Sequence, residues 1–392
     1  MDEPGKHKEV ASRLGQARRV VVKVGTNTVT GPDGEFNAER VEPLVRSLAA
    51  LKHSSRQVVL VSSGAVGLGA GRLGLARPRL NDLVTRQVCS AVGQNLLMNA
   101  YENLFSKYGV KIAQVLLTED DFKDRTRYGN LRSTMEKLLK FDVLPVVNEN
   151  DTVSTAELEY SATQERIFGD NDRLAALVMS KLEADALILL TNVDGLLQVS
   201  DDSDQRAFQV VPLVEEVTAE LKSLASGTST GGRGGMLSKL EAAEIAMRAG
   251  GVAVIANGQT PFILDRLFAG QQLGTAFVSS VRLDGKRRWI AYAANVRGRV
   301  IVNAGAREAI LNSKASLLTS GVVRVENEFD SLDVVSIVDG EGNEFARGMA
   351  SCGSREALKL LDEKDKLSSI GQSPFAKTGV LVSRENILIL KQ

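Results

Sequence analysis

Lys23 sits inside an apolar run, Val20-Val21-Val22-Lys23-Val24, and Gly25 follows the run directly. Five more polar or small clusters stand at comparable places, at the end of an apolar run or the head of an amphipathic one. They are Ser62-Ser63-Gly64-Ala65, Asn148-Glu149-Asn150-Asp151, Asp170-Asn171-Asp172, Thr191-Asn192 and the glycine-rich loop "GTSTGGRGGMLSK", which ends on Lys239. Two lysines, glycine-rich backbone donors and several carboxylates suit the handling of phosphate. Histidine chemistry is not expected: only His7 and His53 exist, in a polar leader and in "LKHSSRQ", which reads as a surface turn. That disfavours a histidine general base and a zinc site built on histidine. Cys89 and Cys352 offer no Cys–His pair and no disulfide framework, and Cys89 reads as a small core residue. Such lysines, backbone donors and carboxylates, without a histidine base, fit phosphoryl transfer to an acceptor that needs no deprotonation, and a carboxylate is such an acceptor. Its approach to the γ-phosphate of ATP brings anion against anion. One lysine some 4 Å from a phosphate oxygen contributes on the order of 4 kcal/mol at an effective dielectric of about 20. Two lysines and a Mg²⁺ ion are then a reasonable minimum.

Each cluster also has a plain reading. A lysine in a strand is commonly a solvated edge cation. "SSGAVGLGAG" reads equally as a flexible turn. "GDND" reads as a helix N-cap, with Asp170 or Asn171 capping and Asp172 complementing the helix dipole. "NVDGLL" reads as a tight turn. The loop before Lys239 lacks the Gly-Lys-Ser/Thr order of a Walker motif. The functional reading rests on co-occurrence: six such groups at six strand ends of one domain.

The elements that must position them follow from periodicity. "VVVKV", "QVVLVSS", "VKIAQVLL", "DVLPVVN", "ADALILLTN" and "GVAVIAN" read as buried strands without polar alternation, the pattern of a sheet covered on both faces. Helical patterns lie between them, at about 38–52, 80–108, 130–140, 171–181 and 236–248. This alternation predicts an α/β fold with a largely parallel sheet, whose ligands bind at the carboxyl ends of the strands. Beyond Val281 the texture changes. Short β-type segments, "RVIVNAG", "GVVRVENEF", "DVVSIVDG" and "EFARGMAS", predict a small, mostly β domain with "GSREALKLL" as its one clear helical piece.

The chain has 392 residues, 43% hydrophobic and 24% charged, so two globular domains are expected. Forty-eight Lys and Arg balance forty-eight Asp and Glu. Balanced charge argues against a dominant nucleic-acid or anionic-membrane surface. No apolar run is long enough for a membrane span, and the first seventeen residues carry no apolar signal core, so a cytoplasmic enzyme is expected.

Taken in order, "VVKVGTN", "VSSGAVGLG", "AVGQ" (91–94), "VVNENDTV", "FGDND" and "GGRGGMLSK" resemble the glutamate 5-kinases of the amino acid kinase family. The match runs over about residues 18–282, and "NEND" followed by "GDND" is its most specific part. The tail after "KRRW" resembles the PUA domain that many bacterial members append. The resemblance implies a three-layer α/β/α kinase domain over 18–282, behind a polar leader over 1–17. A linker over 283–295 and a PUA domain over 296–392 complete the expected organisation. It also implies ATP-dependent phosphorylation of the side-chain carboxylate of L-glutamate to L-glutamyl 5-phosphate, the first step toward proline, with proline as feedback inhibitor.

By the same resemblance Lys23 and Lys239 stabilise the transferring phosphoryl group, and Asp172 holds the lysines and stands near Mg²⁺ or its waters. Ser63, Gly64, Ala65, Asn150, Asp151, Asp170 and Asn171 form the glutamate site. Asp151 suits the α-ammonium, and Ser63 with its neighbouring amides suits a carboxylate. Gly25, Thr191, Asn192, Arg233, Gly234, Gly235 and Met236 join the two lysines along the nucleotide. No protein-built metal site is assigned. A homo-oligomer, dimer or tetramer, and hand-off of the labile product to glutamyl phosphate reductase are further expectations.

Three departures stand out. Asn192 replaces an Asp common in the family, Arg233 replaces a Thr, and an extra stretch, "YSATQERI" (160–167), borders the glutamate site and bears on proline sensitivity. Other readings are an amino acid kinase with another carboxylate substrate, a scaffold on a dead kinase fold, and an RNA-binding protein acting through the PUA domain. Retained Lys23, Asp172 and Lys239 disfavour the scaffold. Thirteen Lys and Arg against thirteen Asp and Glu over 296–392 disfavour RNA.

Overall fold

The computed structural model describes residues 3–75, 82–118, 120–123, 125–153, 171–200, 207–225, 235–279, 296–331, 333–369 and 379–390. The chain divides into two compact units, Met1–Arg282 and Leu283–Gln392. In the first, the order is α1 (Glu3–Gln16), β1 (Arg19–Val24), α2 (Thr26–Val29), α3 (Ala38–His53), β2 (Gln57–Ser62), α4 (Ala65–Arg72) and α5 (Leu83–Ser106). Then come β3 (Ile112–Leu117), α6 (Asp120–Lys123), α7 (Arg125–Lys140), β4 (Leu144–Glu149), α8 (Asn171–Lys181), β5 (Ala186–Thr191), β6 (Leu197–Ser200), β7 (Ala207–Val210) and β8 (Leu213–Val214). The unit closes with α9 (Ala219–Ala225), α10 (Met236–Arg248), β9 (Val252–Asn257), α11 (Ile263–Phe268) and β10 (Thr275–Val278).

Eight strands form one sheet in the order β3-β4-β2-β1-β5-β9-β10-β8. It is parallel except where β10 runs against β9. The unbroken apolar runs have a direct cause. Val20, Val22 and Val24 of β1 enter one core, and Val21 enters the other. Ala186, Ile188 and Leu190 of β5 likewise face one way, and Leu187 and Leu189 the other. Side chains alternate across a strand, so a strand covered on both faces has no polar position to spare. The first core is completed by α1, α3, α5 and α11 through Leu14, Leu48, Phe105 and Leu264. The second is completed by α7, α8 and α10 through Met135, Leu174 and Leu240. These are the expected three layers.

The alternation fixes the site. Lys23 stands two residues after Val21, so it shares the face of the second core, where α8 and α10 pack. The polar leader is not a loose tail: it forms α1, with Leu14 buried and the Arg13 guanidinium (Nη2) donating to the carbonyl of Gly250 at 2.8 Å. Arg18 and Arg19, without a role in the sequence, pin the other end of β1, their backbone amides donating to Asp185 Oδ2 at 2.8 and 2.9 Å. His53 ends α3 instead of lying in a turn. No helix among the described residues is long and apolar enough to cross a membrane.

The second unit holds β11 (Val296–Val302), α12 (Ala304–Ser313), β12 (Leu317–Leu318), β13 (Val322–Glu326), β14 (Val334–Val338), β15 (Glu344–Ala350), α13 (Ser354–Ser369) and β16 (Val380–Ile389). Its six strands are ordered β12-β16-β15-β14-β11-β13 around Val300, Ile337, Phe345 and Leu381. Helix α12 corrects the expectation of a single helical piece. Asn303 caps it, its side chain accepting from the amide of Ala306 at 2.8 Å, and Ala-rich composition favours it. Only Ile310 of α12 is buried, so it shows no helical apolar period.

Helices α4 and α5 cross with backbones in contact. A Cβ on Gly69 would lie 1.8 Å from the carbonyl oxygen of Cys89, and one on Gly93 only 1.7 Å from that of Ala65. Neither position has room for a methyl group. A Cβ on Gly129, exposed on α7, would meet nothing within 4 Å. Gly93→Ala is therefore expected to lower stability by about 3 kcal/mol or more, the upper range of overpacking, because backbone must move. Gly129→Ala is expected to raise it by roughly 0.5–1 kcal/mol through helix propensity. Urea unfolding midpoints at constant slope check both.

Candidate active site

Asp172 has no solvent exposure. It is the second residue of α8, and both its oxygens meet cations: Lys23 Nζ lies 2.6 Å from Oδ1, and Lys239 Nζ lies 3.0 Å from Oδ2. Both lysines are themselves 7% exposed. Burial works against the Asp172 charge, but the two ammonium groups, by field and by hydrogen bond, outweigh it and hold the carboxyl below the usual carboxylate range. The plain readings of Lys23 as a solvated edge cation and of Asp172 as a dipole complement are therefore overturned: β1 is central in the sheet, and Asp172 is an interior ion. The triad carries one net positive charge, which suits an anion at its open side.

Gly25 guards that side. Its backbone is extended (φ −78°, ψ 160°), so its conformation needs no glycine. Nor does its protein surrounding: a Cβ would stand 3.7 Å from the carbonyl oxygen of Leu190 and 3.8 Å from Lys23 Nζ, both ordinary contact distances. Gly64 is different. At φ 110° it lies in the left-handed region, and a Cβ would press within 2.9 Å of Val29. It turns the chain from β2 into α4 without a side-chain cap, so the first amides of α4, beginning at Ala65, lack an intrahelical acceptor beside Ser63. Gly235 heads α10 in the same uncapped way, followed by Met236, with Lys239 one turn in.

Asn171 ties the strand ends together. Its Nδ2 donates to Ser63 Oγ at 2.7 Å, to Asn148 Oδ1 at 3.1 Å and to the carbonyl of Ser62 at 3.2 Å. Asn148 Nδ2 in turn donates to Gln94 Oε1 on α5 at 2.8 Å. The buried Asn171 Oδ1 and Gln94 Nε2 have no hydrogen-bond partner among the described residues. Buried polar atoms are seldom left so, and two in one network point to a ligand or water that completes it. Asp151 follows at the end of β4 and accepts at Oδ2 from Ser90 Oγ at 2.8 Å. Burial pushes its carboxyl up, while the Ser90 hydroxyl and the Arg86 guanidinium pull it down. Asn150 turns its side chain to Thr152 Oγ1, 2.5 Å away, within a turn.

Thr191, 8% exposed, ends β5 beside β1, and its Oγ1 donates to Asn192 Oδ1 at 3.3 Å. Asn192 is exposed at the same sheet edge. Asp170, Arg233, Gly234 and the stretch 160–167 lie outside the described residues. Arg86 and Ser90 escaped the sequence reading, and Asn148 and Gln94 were noted there without a role. Arg86, Ser90 and Gln94 are spaced i, i+4, i+8 on α5, the one signal that could have grouped them. Among the described residues no three His, Cys, Asp or Glu side chains gather into a metal-binding group.

Comparison with known proteins gives the family. Residues 18–257 match the amino acid kinase family, and residues 298–367 match the PUA domain. The chain is 43% identical to a glutamate 5-kinase of Moorella thermoacetica over 98% of this chain and 99% of the relative. It is 41% identical to one of Caldanaerobacter subterraneus subsp. tengcongensis, over 95% and 98%. It is 45% identical to one of Myxococcus xanthus, over 88% and 90%. The chain belongs to the amino acid kinase family, among the glutamate 5-kinases that carry a C-terminal PUA domain.

Proposed function

We propose that this protein phosphorylates the side-chain carboxylate of L-glutamate with ATP, giving L-glutamyl 5-phosphate and ADP, the entry to proline synthesis. The observation that carries the reading is the buried Lys23–Asp172–Lys239 triad, net positive, one residue along α8 from the Asn171–Ser63 pair. The full-length likeness to glutamate 5-kinases supports the same substrate.

The acceptor carboxylate is already a nucleophile, so no base has to take its proton. The described site holds no histidine: His53 bonds the carbonyl of Tyr108 at the far end of α3, and His7 lies on α1. The work left to the protein is alignment and charge. Lys23 and Lys239 stabilise the transferring phosphoryl oxygens, and Asp172 keeps both ammonium groups aimed. Ser63 and the open amides of α4 hold the acceptor carboxylate, while Asp151 and the unpartnered Asn171 Oδ1 suit the substrate ammonium. Thr191, Asn192, Gly235 and Met236 lie along the nucleotide. Asp172 has both oxygens on lysines, so the residues described build no metal cage. Mg²⁺ suits this site only as an ion carried on the phosphates of ATP, where it supplies charge neutralisation.

Free proline is proposed to compete where glutamate binds. The acyl phosphate product is labile in water, which favours prompt consumption by a reductase. For RNA, the second unit offers little. Arg299 and Arg324 face Glu326, Arg307 faces Asp339, Arg347 faces Glu344 and Arg355 faces Glu328, so these cations form no unopposed basic stripe.

The test is glutamate-dependent ADP release from Mg-ATP with hydroxylamine present to trap the acyl phosphate. Hydroxamate that requires glutamate is expected, reduced by added proline. Hydroxamate formed with acetylglutamate or aspartate in place of glutamate would reassign the substrate, and none with any carboxylate would end the kinase reading. Lys239→Ala is expected to lower kcat by about 10²–10³-fold, the effect of losing one preorganised transition-state partner, with near-native circular dichroism. Turnover within a few fold of the parent would remove Lys239 from the chemistry.

A further inference from the structure

Helix α5 presents Arg86 and Ser90, one turn apart, on the same face. Both are buried, Arg86 at 8% exposure and Ser90 at 3%, although one is a cation and the other a hydroxyl. A buried guanidinium is costly unless a carboxylate faces it. The carboxylates that act on Arg86 are Asp151 and Glu149, both at the end of β4. Ser90 spends its hydroxyl on Asp151 Oδ2 at 2.8 Å. No other charge among the described residues acts appreciably on Asp151. One turn further along α5, Gln94 holds Asn148, at the start of the same Asn148–Asp151 segment.

We propose that Arg86 and Ser90 are positioning residues for glutamate: they hold the Asp151 carboxylate charged and aimed, and so set affinity for the amino end of the substrate without touching the phosphoryl group. This rests on the reading above that Asp151 receives the substrate ammonium. The physical need is plain. Burial drives Asp151 toward its neutral form, which cannot pair with an ammonium. The guanidinium and the hydroxyl oppose that drift. Arg86, one turn before Ser90 on α5, acts on the carboxylate through its positive field and so favours the charge. Its own positive charge is shared with Glu149, so it does not cancel the pull of Asp151 on the ligand.

The sign of the pH effect follows. Without Arg86, the Asp151 carboxyl titrates at higher pH. Its binding contribution is present above that value and is lost as pH falls through it. The acid limb of kcat/KM for glutamate, which reports the free enzyme, therefore moves to higher pH.

The experiment is steady-state kinetics across pH with four full-length variants. Arg86→Met keeps length and removes charge. It is expected to raise the KM for glutamate roughly tenfold or more near neutral pH, to leave the KM for ATP and kcat within about threefold, and to shift the acid limb upward. Arg86→Lys should restore most of the glutamate KM and of the limb. Ser90→Ala, which removes a single oxygen, should shift both in the same direction by a smaller factor, and it decides the matter if Arg86→Met does not fold. Asp151→Ala separates the two levels. If it leaves the glutamate KM unchanged, the assignment of Asp151 itself fails. If it raises that KM selectively while Arg86→Met and Ser90→Ala leave the KM and acid limb in place, Asp151 stands and the positioning role is overturned. Equal losses in both KM values and kcat in the α5 variants would also overturn it, as a merely structural effect.

Discussion

A carboxylate at zero exposure between two nearly buried ammonium groups is the constraint on which the kinase unit depends. Its members come from positions 23, 172 and 239, and no local preference brings them together. Removing Asp172 would leave two buried ammonium groups uncompensated, at about 3–5 kcal/mol, whereas removing either lysine leaves a neutral pair. The sheet must therefore put β1 at its centre, and both α8 and α10 must lie on the face that Lys23 shares with Val21. Packing alone does not call for this cluster, since apolar side chains of similar volume fill such space at equal or better stability. The cluster makes physical sense as a preorganised positive site, fixed before any anion arrives.

The side of the site around Ser63, Asn171 and Asp151 is organised by a different device. The contact of α4 with α5 is so close that Gly69 and Gly93 leave no room for a Cβ. Gly93 lies between Ser90 and Gln94, which bond Asp151 and Asn148 at the end of β4. A short serine and a glutamine reach Asp151 and Asn148 only if the helix axis is near, and the glycines bring it near. The glycine content of "SSGAVGLGAG" thus serves two purposes. Gly64 makes a left-handed turn, and Gly69 sets the position of the next helix. Reading the string only as a phosphate loop or a flexible turn misses the second purpose.

The sheet was legible because both its faces are buried, which turns strands into unbroken Val, Ile and Leu runs. The helices at 38–53, 171–181 and 236–248 were legible from their period. Asp172 was legible as the partner of the two lysines only through the resemblance, since "GDND" at a helix head reads the same whether its second aspartate meets water or two lysines. Helix α5 hid its role for a clearer reason. Its valines Val84 and Val88 are 61% and 49% exposed, while Arg86, Ser90 and Gln94 are buried. Polar residues turned inward and apolar ones outward invert the pattern by which helix faces are read. Tertiary contacts decide such a helix, and they are invisible in one dimension.

Two aspartates of one site, Asp172 buried and Asp151 half-buried, end with opposite tendencies, and the difference is the number of cations each meets. Asp172 has two at bonding distance and is held below the usual range. Asp151 has one guanidinium and a hydroxyl, and burial prevails. A permanent counter-ion needs the first environment. A group meant to bind a cation reversibly needs the second, because a carboxylate already saturated with cations gains little from another. On the proposed reading, the substrate ammonium is to Asp151 what the second lysine is to Asp172. The protein alone is then short of one cation at Asp151 and carries one in excess at the triad. Glutamate and ATP, bound together, supply the ammonium and the anion that these two imbalances require.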